Sequence, residues 1–136
     1  MSSEAAGPIA HAVLDSERGY AQKIRAGHHS LTADEPTANG GTDTGPPPYA
    51  LLLSGLGACT SITLRMYAQR KGWDLGPVHV EARLYKDAAG ADRIERTVRV
   101  GAPLSDEQRA KLAEIAEKTP VTKTLRAGTP ITTTFV

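Results

Sequence analysis

Alternating apolar and polar residues predict β-strands in the first third, the middle and the end of the chain. Short alternating segments over Ile9–Leu14 and Tyr20–Ala33 predict two or three strands. A more regular alternation over Val78–Leu84 and Ile94–Val100, with turn residues between them, predicts a hairpin with one buried face. The pattern of Ile131–Phe135 predicts a final strand.

A different pattern occupies the region before the hairpin. Residues from Ala50 to Ile62 are apolar or small on nearly every helical face, which predicts a helix, beginning near Tyr49, that is buried all round. The glycines and prolines of residues 40–48 predict a loop before it, and prolines near a first helical turn are favourable. Gly72 is a natural stop signal.

A helix that is apolar on every face needs cover on every face. A chain of 136 residues with one Phe and one Trp supplies limited cover, so a partner subunit is expected and the sequence predicts a homodimer. Gly55 and Gly57 each cost about 1 kcal/mol against Ala in a helix, and the close approach of another backbone would explain them.

A second helix is predicted after the hairpin. Ser105 and Gln108 have the spacing of a capping box, and Pro120 is predicted to end the helix. The order of strands, helix, two strands, helix and strand predicts an α+β fold with antiparallel sheets. We interpret residues 1–136 as one domain with a loose tail over residues 1–8.

Composition narrows the function and the location. Hydrophobic residues make up 40% and charged residues 23%, with a net charge of +1, which argues against disorder and against unspecific binding of nucleic acid or anionic membranes. The most apolar stretch, Leu51–Leu64, is shorter than the roughly 20 residues of a membrane span, and the N-terminus lacks the pattern of a secretion signal. With one cysteine, Cys59, the chain can form no intrachain disulfide, and we expect a cytoplasmic protein.

Cys59 is the candidate for chemistry, with two interpretations. A free cysteine is most often a small core residue, whereas a nucleophilic thiolate would need a cationic or hydrogen-bonding neighbour and access for a substrate. The histidines show no metal-ligand spacing, and the glycine-rich loop lacks the lysine of a phosphate-binding loop. The sequence therefore predicts neither a metal site nor a bound cofactor.

The segment Gly40–Gly72 resembles the OsmC/Ohr family of thiol-dependent hydroperoxide-reducing proteins. A glycine-rich loop, prolines, an apolar helix and a mid-helix cysteine occur in that order, and Ala33–Pro36 and the segment from Ile94 through Leu125 follow the same layout. The resemblance implies an intertwined homodimer with sheets around two central helices and active sites at the interface. It also implies a peroxidatic cysteine at Cys59 that becomes a sulfenic acid, condenses with a second cysteine, and is reset by a dithiol.

The chain departs from that pattern at the positions that matter most for the reaction. Thr119 stands where the family has its second cysteine, and a hydroxyl cannot form a disulfide. Ala50 stands where the family has a glutamate that organises the thiolate. For the family's arginine, Arg18 is the best positional match and Arg25 its rival.

Two classes of function follow from this comparison. The first is a single-cysteine reductase of organic hydroperoxides in oxidative-stress defence, with Cys59 attacking, Arg18 assisting and an external thiol as reductant. The second is a catalytically degenerate dimer that binds a small apolar ligand, or whose thiol senses oxidation without turnover.

Overall fold

The structure of the protein, a computed structural model, describes residues 7–136. Most of the predicted N-terminal tail, residues 1–6, lies outside the described residues. The chain divides after Leu51 into two compact units.

The first unit contains a three-stranded antiparallel sheet with strand order β1-β2-β3. Its strands are β1 (Ala12–Asp15), β2 (Gln22–Ala26) and β3 (His29–Ala33), so the larger of the two predicted strand numbers is confirmed. The turn between β2 and β3 uses Gly27 at φ 61°, a conformation that favours glycine. A short 3₁₀ helix follows at Thr37–Asn39. The strand register pairs Leu14 with Ile24 and Ile24 with Leu31.

Helix α1 (Pro48–Lys71) begins at the last of the three prolines and runs for 24 residues. The expectation that it is buried all round is wrong for the single chain. Its buried residues recur every fourth position and form one stripe: Leu56, Thr60, Leu64 and Ala68. Elements of the same chain cover that one side, and much of the remaining helical surface is exposed.

By length and composition alone, α1 is also long and apolar enough to cross a membrane. The core helix of a soluble protein passes the same test, so this is weak evidence. The helix extends beyond the apolar stretch Leu51–Leu64, and its last turns, which end in Arg70 and Lys71, are polar.

The predicted hairpin is confirmed in the second unit. Strands β4 (Val78–Lys86) and β5 (Asp92–Val100) pair antiparallel from Val78↔Val100 to Lys86↔Asp92. Their inward side chains pack on a buried cluster made by α1, the segment that follows it and the next helix: Leu64, Ala68, Leu75, Leu112 and Ala116.

The end of the chain differs from its prediction in two ways. Helix α2 (Asp106–Ala116) has the predicted capping box, but it ends before Pro120, which begins a further helix, α3 (Pro120–Ala127). A proline fits the first turn of a helix because its missing N–H has no helical partner there. The predicted final strand is absent, because nothing among residues 7–136 pairs with Ile131–Phe135, and Phe135 is 99% exposed. The α+β class with antiparallel sheets is confirmed.

Candidate functional site

Cys59 lies on α1 and is half-buried in the single chain. It belongs to a row of residues spaced alternately by three and four positions, which we call the Cys59 seam: Leu52, Gly55, Cys59, Ile62 and Met66. The large apolar members are exposed, with Ile62 at 58% and Met66 at 49%. A 3-4 spacing of apolar residues is the pattern by which one helix packs along another.

The residue after Cys59 points into the protein. Thr60 is fully buried, and its hydroxyl donates a 2.7 Å hydrogen bond to the backbone carbonyl of Leu56. The same hydroxyl accepts a 2.9 Å hydrogen bond from Nη1 of Arg96 on β5. The helical turn that carries Cys59 is therefore fixed to the hairpin through a polar contact.

Arg96 also reaches the other two helices. Nη1 donates to the hydroxyl of Thr122 on α3 at 2.9 Å, and Nη2 donates to the carbonyl of Ala116 at the end of α2 at 3.0 Å. Nη2 also lies 3.4 Å from Oε2 of Glu117, and the arginine side chain is only 11% exposed. A buried guanidinium thus joins helices α1, α2 and α3.

Thr119, at the position of the family's second cysteine, belongs to the same polar network. It is fully buried as the N-cap residue of α3, and its hydroxyl lies 2.7 Å from that of Thr122. Through Thr122 and Arg96 it is connected to Thr60, the neighbour of Cys59. The structure thus brings Thr119 and the cysteine-bearing turn into one hydrogen-bonded network.

Glu117 forms the outer edge of this network. A hydrogen bond from Arg126 on α3 is the main cause that lowers the pKa of Glu117 below its ordinary value, and the charges of Arg126 and Arg96 act in the same direction. The carboxylate stays ionised and is shared between the two guanidinium groups. Its side chain is about half exposed, so its attraction to Arg96 is screened by solvent.

Sequence reasoning missed Arg96, although a signal was present. In the alternation of β5, Arg96 occupies the same phase as Ile94, Val98 and Val100. A charged residue at an inward position of a half-buried strand needs buried partners, because an unpaired charge is costly to bury. Such an interruption of an apolar phase is a usable signal, but it does not name the partners.

The remaining predicted site residues belong to the first unit. Arg18 is exposed in the connection between β1 and β2, and Arg25 is exposed on β2. Ala50 is half-buried in the first turn of α1. Cys59 belongs to the second unit, so the roles of Arg18 and Arg25 stay predictions.

A buried carboxylate organises the glycine-rich loop of the first unit. Asp34 is 2% exposed and accepts hydrogen bonds from the backbone and hydroxyl of Thr42 and of Thr44, and from the backbone of Glu35. The hydroxyls of Thr44 and Thr42 are the main causes that hold the pKa of Asp34 far below its usual range. A Cβ on Gly45 would lie 2.2 Å from the carbonyl oxygen of Thr32, so this loop position requires glycine. Sequence reasoning assigned the loop without finding its anchor.

Over residues 7–136, no three His, Cys, Asp or Glu side chains lie together as metal ligands. His28 and His29, adjacent at the start of β3, bring their rings to 4.2 Å between centroids.

Comparison with known proteins identifies the family. The model of the OsmC-like protein family matches residues 41–134, which include Cys59, Arg96 and Thr119. The chain belongs to the OsmC-like family. A relative in Haloferax volcanii, described as an uncharacterized protein, is 33% identical over 104 residues, which are 75% of each chain.

Solved structures of OsmC-like proteins share the fold. An OsmC-like protein from Mycoplasma pneumoniae aligns with a TM-score of 0.71 at 21% identity, covering 90% of this chain and 89% of the other. The organic hydroperoxide resistance protein OhrB of Bacillus subtilis aligns with a TM-score of 0.59 at 26% identity, covering 86% and 90%. The α+β fold with antiparallel sheets that the family resemblance implied is confirmed, and the intertwined homodimer stays a prediction.

Proposed function

We propose that this OsmC-like protein reduces organic hydroperoxides through Cys59 in defence against peroxide stress. The observation that carries the proposal is the place of Cys59, half-buried on a helical face whose apolar neighbours are exposed. Membership of the OsmC-like family and the similarity to the organic hydroperoxide resistance protein of Bacillus subtilis support it.

The reaction runs with one protein thiol and two external ones. The Cys59 thiolate attacks the terminal peroxide oxygen, the O–O bond breaks, and the alkoxide leaves as an alcohol after taking a proton. The resulting sulfenic acid condenses with an external thiol to a mixed disulfide and water. A second external thiol then releases Cys59 and carries away the oxidised disulfide. The external thiol takes the part of a second cysteine because Thr119 cannot form a disulfide.

The Cys59 seam favours organic over inorganic substrates. Leu52, Ile62 and Met66 offer apolar surface on both sides of the thiol along the helix. Burying the apolar group of an organic hydroperoxide there stabilises its complex by roughly 25 cal/mol per Å², a contribution that hydrogen peroxide cannot make.

We further propose a homodimer in which a second copy packs on the Cys59 seam. Exposed large apolar residues in 3-4 spacing support this arrangement, because the single chain leaves them in water. Within it, residues 1–136 act as one domain, and Arg18, or its rival Arg25, assists Cys59 electrostatically. The proposed location is the cytoplasm, where small thiol reductants keep cysteines reduced.

The test is a steady-state assay of cumene hydroperoxide and hydrogen peroxide consumption with a dithiol reductant. We expect turnover by the wild type, faster with cumene hydroperoxide, and none by Cys59→Ser, which keeps the size of the side chain but not the nucleophile. Met66→Leu is the matched control, because Met66 is exposed on the same seam as Cys59 and methionine also consumes peroxide. A wild type no faster than Cys59→Ser would refute the proposal.

A second candidate function rests on the fully buried, hydrogen-bonded hydroxyl of Thr119. A chain without a resolving thiol serves equally as a ligand-binding dimer or as a thiol that senses oxidation. A single equivalent of sulfenic acid without turnover would favour the sensor. An unreactive Cys59 with a small apolar molecule retained in native mass spectrometry would favour the ligand-binding protein.

A further inference from the structure

We propose that Arg96 is a positioning residue for the reaction at Cys59, acting through the hydroxyl of Thr60 on the helical turn that carries the thiol. This inference rests on the proposed function. Arg96 acts through another residue, and its role is to hold the turn in one position.

Arg96 is a largely buried charged residue. Its side chain is 11% exposed, and among the described residues the carboxylate within ion-pair distance, Glu117, is half exposed and shared with Arg126. Replacing a buried charged group by apolar residues of similar volume is often neutral or stabilising. The guanidinium instead makes hydrogen bonds with fixed directions to helices α1, α2 and α3, as its planar donor array allows.

Arg96 binds a helix segment that contains two glycines. Gly55 and Gly57 lie within the turn that precedes Cys59, and each weakens a helix by about 1 kcal/mol relative to Ala. A Cβ on Gly55 would meet no described atom within 4 Å, and one on Gly57 would meet Val80 at 3.8 Å, so neither glycine is required by packing in this chain. The helix is therefore intrinsically less stable just before Cys59 than an alanine-containing helix would be.

The hydrogen bonds of Thr60 stabilise this segment. The Thr60 hydroxyl binds the carbonyl of Leu56 on one side and Arg96 on the other. Through the Thr60 hydroxyl, these two bonds connect the Leu56 carbonyl and Thr60 to strand β5. Cys59 directly precedes Thr60, so any shift of that turn moves the thiol with it.

The experiment compares hydroxyl variants at the two threonines that share Nη1 of Arg96. Thr60→Val removes the hydroxyl at nearly constant shape, whereas Thr60→Ser keeps it. Thr122→Val removes the hydrogen bond that Arg96 makes to α3, away from the cysteine-bearing turn. Arg96→Met removes the guanidinium, and Arg99→Met is its control on the opposite face of β5. The rate of sulfenic acid formation with cumene hydroperoxide is read by dimedone trapping and intact mass, and folding by thermal unfolding.

We expect Thr60→Val to form sulfenic acid about ten-fold or more slowly than the wild type, because a small misplacement of a reacting group is costly. Thr60→Ser and Thr122→Val should stay within about two-fold of the wild type, although Thr122→Val loses a comparable bond. Arg96→Met, where it folds, should match Thr60→Val.

Two results would overturn the inference while leaving the proposed function intact. One is a Thr60→Val variant that reacts at the wild-type rate. The other is a Thr122→Val variant slowed as much as Thr60→Val, which would mean that the network acts only on stability. A wild type that forms no sulfenic acid would overturn both proposals together.

Discussion

Gly55→Ala should change the stability of the single chain and of the proposed dimer in opposite directions. In the single chain, an added Cβ at Gly55 would meet none of the described atoms within 4 Å. The substitution therefore costs nothing in packing, and it should stabilise the folded subunit by about 1 kcal/mol through helix propensity.

The same methyl group would point from the Cys59 seam toward a second copy. Extra methyl groups forced into a packed contact cost about 1–3 kcal/mol each, and in a symmetric dimer the substitution occurs twice. The lower end of that range is about 2 kcal/mol for the pair. We therefore expect the dissociation constant of the dimer to rise at least about 30-fold.

Sedimentation equilibrium over a range of concentrations measures the dimer, and thermal unfolding of dilute protein measures the subunit. Gly57→Ala is the matched control, because it brings the same gain in helix propensity at a position off the seam, with an ordinary 3.8 Å contact to Val80. A Gly55→Ala protein that dimerises as tightly as the wild type and is more stable would refute packing of a second copy at Gly55.

Two further predictions concern Asp34 and Thr119. The pKa of Asp34 in the folded protein lies below its unfolded value of about 3.8. The stability that ionised Asp34 contributes is therefore present above about pH 3.8 and is lost progressively as the pH falls below that value. Urea unfolding at pH 6 and pH 3 should therefore show a larger acid loss for the wild type than for Asp34→Asn, with the exposed loop variant Asp43→Asn as control, and equal losses would contradict this. Thr119→Cys should form a disulfide with Cys59 on mild oxidation, detected as an intact mass lower by two hydrogens. Persistence of both free thiols would mean that the cysteine-bearing turn and Thr119 do not approach closely enough.

Local chemistry predicted the fold where neighbouring residues decide the structure. The capping box at Ser105, the alternation of the hairpin and the loop of residues 40–48 depend on sequence neighbours, and each was found where it was expected. Pro120 was misread because a proline can close one helix or open the next, and only the α2 terminus at Ala116 distinguishes these cases.

The final strand and the fully buried helix could not be settled from local pattern. A strand needs a partner edge, and the described single chain supplies none to Ile131–Phe135. Burial of α1 on every face would need more covering surface than the single chain provides. The apolar pattern of the helix therefore predicts more burial than one chain can supply. Both features depend on contacts between distant surfaces, which the local alternation of apolar and polar residues does not specify.

Sequence reasoning identified the candidate reactive residue, Cys59, but not the residues that hold its helical turn in place. Cys59 could be selected because the family pattern identifies it, whereas Arg96 and Thr60 meet across 36 positions of sequence. No spacing rule predicts such a contact, because it depends on how the hairpin packs on the helix. The apolar phase of β5 could have shown only that Arg96 required a buried partner.

The burial of Thr119 has a consequence for how the thiol at Cys59 would be reduced. A second thiol buried beside the cysteine-bearing turn would resolve a sulfenic acid from inside the protein, and it would need no opening to solvent. Thr119 has no thiol, and its hydroxyl is fully buried and hydrogen-bonded to Thr122, so in the proposed reaction an external thiol would reach Cys59 from the exposed side of α1. That side is the Cys59 seam, which the proposed dimer would also use. Reductant access and dimer packing would then compete for one surface, and a bulky dithiol protein should reduce the sulfenic acid more slowly than a small thiol does.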